Sequence, residues 1–156
     1  MWRRCRPVAG SSEALTPEEV FDHDPVALAI HDEIRRTLLR LDGVRVRVTR
    51  SQVGFRRDRA FAMLWRPGRY VASDVPVVLS VALPRALQSA RLKQVVKPSA
   101  GTWMHHLELR DVTDIDDEVR GWLVEAWAAA TGAGQPRVER PASRRATGTR
   151  NGEHET

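Results

Sequence analysis

The apolar period of this chain changes once and decisively at Gly43, and that change limits the folds open to it. Before Gly43, Val26, Ile30, Ile34, Leu38 and Leu41 recur at nearly every fourth position, as on one stripe of an amphipathic helix. After it, Val44, Val46 and Val48 alternate with Arg45, Arg47 and Thr49, as on the two faces of a strand. Helical period returns in Asp114 to Ala130, where Val119, Trp122, Leu123, Ala126, Trp127 and Ala130 form a second stripe. Helices must therefore flank a run of strands.

Punctuation along the chain supports this reading. Thr16-Pro17-Glu18-Glu19 carries a capping residue, a proline suited to the first helical position and a glutamate that completes a capping box. A short helix to about Asp22 is predicted. Asp24-Pro25 repeats the start signal for the longer helix, and Gly43 supplies its stop. Val53 to Arg57 and Ala60 to Trp65, turning at Asp58-Arg59, read as a hairpin with Phe61, Met63 and Trp65 on a shared face. Val75 to Leu83 is almost continuously apolar, the pattern of a central strand covered on both sides. Pro84 to Gly101 lacks a period and reads as a long loop, while Thr102 to Leu109 alternates again and is a further strand. The expected architecture is an α+β domain over residues 16–132, an antiparallel sheet of about five strands in a meander with N- and C-terminal helices packed on one face. Residues 1–15 and 133–156 mix proline, glycine, serine and arginine without period and read as disordered tails.

Charge is the second constraint. The whole chain of 156 residues carries a net +5, but the segment between the tails holds 17 basic and 16 acidic residues, so a bulk argument for nucleic acid fails. Local asymmetry is the better clue: Val44 to Arg69 contains eight arginines and one aspartate, between acidic helical segments. Lys93 and Lys97 are the sole lysines, an arginine bias that follows either from GC-rich coding or from a need for guanidinium geometry. Strand alternation gathers Arg45, Arg47 and Arg56 on the face turned away from the helices, around small side chains (Gly54, Ala62, Ser80, Ala82), with His106 and Met104 further along. Such a face suits a phosphate, a carboxylate or a nucleic-acid backbone, of which nucleic acid has the weaker support. It equally suits a solvated strand face under a long loop.

Other candidates have simpler readings. His105 and His106 are adjacent in a strand, so they point to opposite faces and cannot hold one metal together. One of them, oriented by Glu108, is a candidate general base, against a structural hydrogen-bonded histidine. His31, beside Asp32 and Glu33, reads as a surface residue. Trp122 and Trp127 read as core, whereas Trp65 and Trp103 are candidate stacking platforms or core. Asp111, Asp114, Asp116, Asp117 and Glu118 are dense enough for a divalent cation, yet acids also favour a helix N-terminus. No nucleophile-elbow, zincin, P-loop or dinucleotide-binding motif is present, so no cofactor or metal is expected and enzymatic activity has no positive support. Cys5 is the single cysteine and no apolar run approaches a membrane span, which favours a cytoplasmic protein.

The segments Val-Arg-Val-Thr-Arg-Ser-Gln-Val-Gly-Phe-Arg-Arg from Val46, Phe-Ala-Met-Leu-Trp-Arg-Pro-Gly-Arg-Tyr from Phe61, Gly-Thr-Trp-Met-His-His from Gly101 and Trp-Leu-Val-Glu-Ala-Trp from Trp122 are similar to an uncharacterised bacterial DUF-type domain family. Related domains also form C-terminal modules of larger bacterial proteins labelled predicted transport proteins. The resemblance spans about residues 20 to 130 and implies a stand-alone helix-flanked sheet with no established activity. The leading expectation is a non-enzymatic binding or accessory domain whose basic face (Arg45, Arg47, Arg56, with His106 nearby) meets an anionic ligand or acidic protein surface. The alternatives are a homo-oligomer joined by acidic helices on basic sheets, and an enzyme acting through His106 or His105.

Overall fold

The computed structural model describes residues 14–131. Almost all of both predicted tails, with Trp2 and Cys5, lies outside the described residues. Helices α1 (Pro17–Val20) and α2 (Pro25–Leu39) precede strands β1 (Arg45–Val48), β2 (Val53–Arg56), β3 (Ala60–Trp65), β4 (Val77–Leu83), β5 (Leu92–Ser99) and β6 (Thr102–Leu109), and α3 (Asp117–Ala129) follows. The α+β class stands, but the sheet has six strands rather than five. Its order, β1-β2-β3-β4-β6-β5, departs from a meander because β6 pairs with β4 and leaves β5 at the edge.

The helix starts form as their caps dictate. Thr16 Oγ1 accepts the Glu19 amide at 3.4 Å while Glu19 Oε2 accepts the Thr16 amide at 2.9 Å, and Asp24 Oδ1 accepts the amides of Val26 and Ala27. Each cap satisfies backbone donors that the first helical turn leaves unpaired, worth about 1 kcal/mol. Both α2 and α3 lie on one side of the sheet, where Ile30, Ile34, Leu38, Val119 and Leu123 share one core with Phe55, Leu64, Leu79, Leu83 and Leu109. Burial of each such Leu, Ile or Phe contributes roughly 2 kcal/mol. Val26 is the departure from the α2 stripe: it is exposed, and Ala27 takes the inward position.

Three local expectations are corrected. Residues 84–101 are not all loop, since Leu92–Ser99 form edge strand β5; exposed nearly throughout, it carries no inside-outside alternation to read. The chain also bulges between β2 and β3, where Phe55 pairs with Ala62 but Arg56 pairs with Ala60. The extra residue, Phe61, turns into the core beside Ala62 and does not share a face with Met63 and Trp65, and Ala62 leaves the outer floor for the interior. Finally, His31 is not a surface residue. It is 3% exposed, packed against Phe21 at a ring separation of 5.8 Å.

A candidate binding face on the outer sheet surface

With the helices on one side, the other side of the sheet is set by strand parity. Cross-strand register aligns Arg47, Gly54, Met63, Ser80, His106 and Gln94 in one row from β1 to β5. A neighbouring row carries Arg45 and Arg56 at one end and Ala82, Met104 and Val96 at the other. On the opposite flank of the first row stand Trp65, Val78 and Glu108. Adjacent strands are about 4.8 Å apart, so Arg47 and His106, four strands removed, lie roughly 19 Å apart along the row. Arg45, Arg47 and Arg56 are thus neighbours at the β1–β2 edge, whereas His106 shares their face without sharing their site.

The segment that was able to hide this face does not. Arg85 holds Glu125 on α3 through paired contacts of 2.7 and 3.0 Å, and Arg91 holds Asp116 at 2.8 Å and the Asp114 carbonyl at 2.7 Å. His105, on the inner side of β6, completes the attachment. Its Nδ1–H donates to the Val81 carbonyl at 3.2 Å and its Nε2 accepts the Leu87 amide at 2.9 Å, an arrangement that requires a neutral ring. Residues 84–91 therefore fold toward the helices. The adjacent histidines do point to opposite faces, and His105 is structural.

His106 sits differently. Trp65, Ser80, His106 and Met104 line an open cleft of about 530 Å³ on the outer face, with Met63, Tyr70, Val71, Ser51 and Gln52. Trp65 Nε1–H donates to Ser80 Oγ at 2.9 Å, and Ser80 Oγ lies 2.7 Å from His106 Nδ1. Indole nitrogen only donates, so Ser80 Oγ accepts from Trp65; we assign the Ser80 proton to His106 Nδ1, its other hydrogen-bond partner, which makes the chain Trp65→Ser80→His106 and puts the imidazole proton on Nε2. Burial pushes the His106 pKa below its usual value, which favours the neutral ring. Ser80 is 3% exposed, so its hydroxyl orients the ring and offers little surface for attack on a substrate. Glu108 does not orient His106; it faces Lys93 at 3.8 Å and Arg110 at 3.9 Å.

Most of the eight arginines between Val44 and Arg69 have structural roles. Arg66 and Arg69 bind Asp22 and Asp24, Arg57 stacks on Trp127 at 4.2 Å, Arg59 donates to the Ala129 carbonyl at the end of α3, and Arg45 donates to the Arg57 carbonyl at 2.8 Å. Arg47 and Arg56 have no ion-pair partner among the described residues, and Arg56 Nε is buried without an acceptor. The acidic side chains are largely occupied too: Asp22, Asp24, Glu33, Asp116 and Glu125 all pair with arginines of the same chain. Hydrogen bonds from Arg69 and Arg91 hold the carboxyls of Asp22 and Asp116 below their usual pKa. In the acidic cluster, Asp111 caps Val112–Asp114, Asp114 accepts the amides of Arg110 and Asp111, and Asp116 caps α3. Among the described residues no group of three or more His, Cys, Asp or Glu side chains is arranged to hold a metal, and no helix is long and apolar enough to cross a membrane.

Fold and face together define a helix-backed antiparallel sheet domain with an open outer surface. Residues 18–130 match the model of a family described as a domain of unknown function, DUF5655, and the chain belongs to that family. No curated protein and no solved structure gives a significant match. Strand alternation predicts Ser80 and His106 on this face, whereas nothing in the sequence marks Tyr70, Val71 and Gln52, which reach the cleft from turns that carry no periodic signal.

Proposed function

We propose that this domain is a non-enzymatic binding or accessory module that meets an acidic surface of a partner protein with its outer sheet face. The observation that carries the reading is the β1–β2 edge: Arg47 and Arg56 have no carboxylate partner among the described residues, on a face that residues 84–91 leave open. Guanidinium groups engage carboxylates in planar, two-point contacts, and a strand edge presents several at fixed spacing. Gly54, without a side chain between Arg47 and Met63, leaves backbone accessible to a partner in that row. The self-association alternative has less to draw on, because Asp22, Asp24, Glu33, Asp116 and Glu125 of the helical layer are paired with arginines of the same chain.

Titration of a fluorescently labelled oligo-glutamate peptide into the full chain over a salt series tests the proposal. Binding at low salt that weakens as salt rises is expected, and the Arg45→Ala/Arg47→Ala variant should bind several-fold more weakly. Absence of binding at low salt overturns the proposal, and unchanged affinity in the double variant moves the surface elsewhere. Preference for oligothymidylate over the peptide would make the partner a nucleic acid instead.

A further inference from the structure

The cleft between β3, β4 and β6 is chemically unlike the arginine edge. Its walls are rings and thioethers: Trp65 and His106 stand nearly perpendicular, at 88° with centroids 6.3 Å apart, Trp65 and Tyr70 meet edge-on at 6.2 Å, and Met63 and Met104 lie alongside. Such a corner offers an aromatic guest both edge and face contacts, and sulfur adds to its affinity for rings. At about 530 Å³ the volume is that of small-molecule sites. Among its ring walls His106 offers a nitrogen donor. With Nδ1 accepting from Ser80 in that assignment, His106 carries its proton on Nε2. We propose that this cleft binds a small uncharged aromatic ring bearing a carbonyl, the carbonyl accepting a hydrogen bond from His106 Nε2–H and the ring resting against Trp65, Tyr70 and Met104.

The neutrality of the guest follows from the walls. No arginine, lysine or carboxylate lines the cleft, so an ion would lose hydration there without gaining a counter-charge. Ser80 acts here as a positioning residue. Its hydroxyl fixes the imidazole tautomer, and the Trp65 indole in turn fixes the hydroxyl, so the donor is preorganised before any ligand arrives.

Benzamide and toluene, which share a ring and differ in the acceptor, are suitable probes of the full chain, followed by long-range proton–nitrogen spectra of the histidine rings and by the Trp65 indole signal. The free protein should show His106 with Nε2 protonated and Nδ1 bare. Benzamide should shift both signals with Kd on the order of millimolar, as befits so small a ligand, and bind about tenfold more tightly than toluene. His106→Gln, which retains a donor near the same point, should keep part of that preference, and His106→Leu should abolish it. Equal binding of the two probes, or saturating benzamide that moves neither signal, overturns the proposal in the unaltered protein, whatever the variants do. Arg45→Ala/Arg47→Ala should leave benzamide binding unchanged, so failure here is separable from failure of the arginine edge.

Discussion

Two buried or half-buried imidazoles behave in opposite structural ways and in the same direction with pH. His31 donates from Nδ1 to Asp32 at 3.1 Å while its Nε2 is buried without a partner, and burial lowers its pKa despite the opposing pull of Asp32. His106 is lowered by burial as well. For both, the folded pKa lies below the unfolded value of 6.5, so on acidification the unfolded chain takes up protons first. Stability should be full above about pH 6.5 and decline as pH falls through that value, read as the urea midpoint from pH 8 to pH 5. His31→Leu should flatten that decline. Ser80→Ala should cost about 1–3 kcal/mol by stranding the Trp65 indole N–H and His106 Nδ1, and should move the His106 proton between ring nitrogens. The outward parity of His106 was legible in the sequence because Thr102 to Leu109 alternates, and that of Ser80 because it is the one polar side chain in an otherwise apolar strand. The burial of His31 was not, since it depends on Phe21 folding back from the corner before α2.

That corner is where separate elements are joined. Asp22 and His23 adopt positive φ of 51° and 57°, a conformation that costs a side-chain-bearing residue about 1–2 kcal/mol. The turn at Pro67–Arg69 holds them there: Arg69 reaches Asp22 at 2.8 Å, the Arg50 carbonyl at 2.9 Å and the Glu19 carbonyl, and Arg66 reaches the Phe21 carbonyl at 3.2 Å and Asp24 at 3.1 Å. Arg69→Ala should destabilise by roughly 1–3 kcal/mol, and a cycle with Asp22→Ala should return a coupling of at least about 0.5 kcal/mol. Additive effects would mean the pair merely sits together. The helices were readable because cap and stripe agree at Thr16 and Asp24. The β2–β3 bulge was not, since one extra residue at Phe61 reverses face assignment without altering composition, and so Ala62 was assigned to the wrong side.

Across the whole molecule, charges that looked like a basic surface are mostly a scaffold. Arginines from the sheet region close onto acids and carbonyls of the helical layer, which explains why the Val44 to Arg69 cluster coexists with a nearly neutral domain. What was legible was the sign of each segment; which arginine meets which acid depends on pairings 40 or more residues apart, such as Arg85 with Glu125. The strand order has its own consequence in time. Strand β5 is held to the sheet through β6 alone, whereas β4 and β6 are paired on both sides. Amide hydrogens of β5 should therefore exchange with deuterium through local peeling, orders of magnitude before those shared by β4 and β6, which wait for the whole domain to open. The other edge strand, β1, hangs on β2 alone and should behave likewise, so the protein would carry the rims of its sheet on a faster clock than the middle.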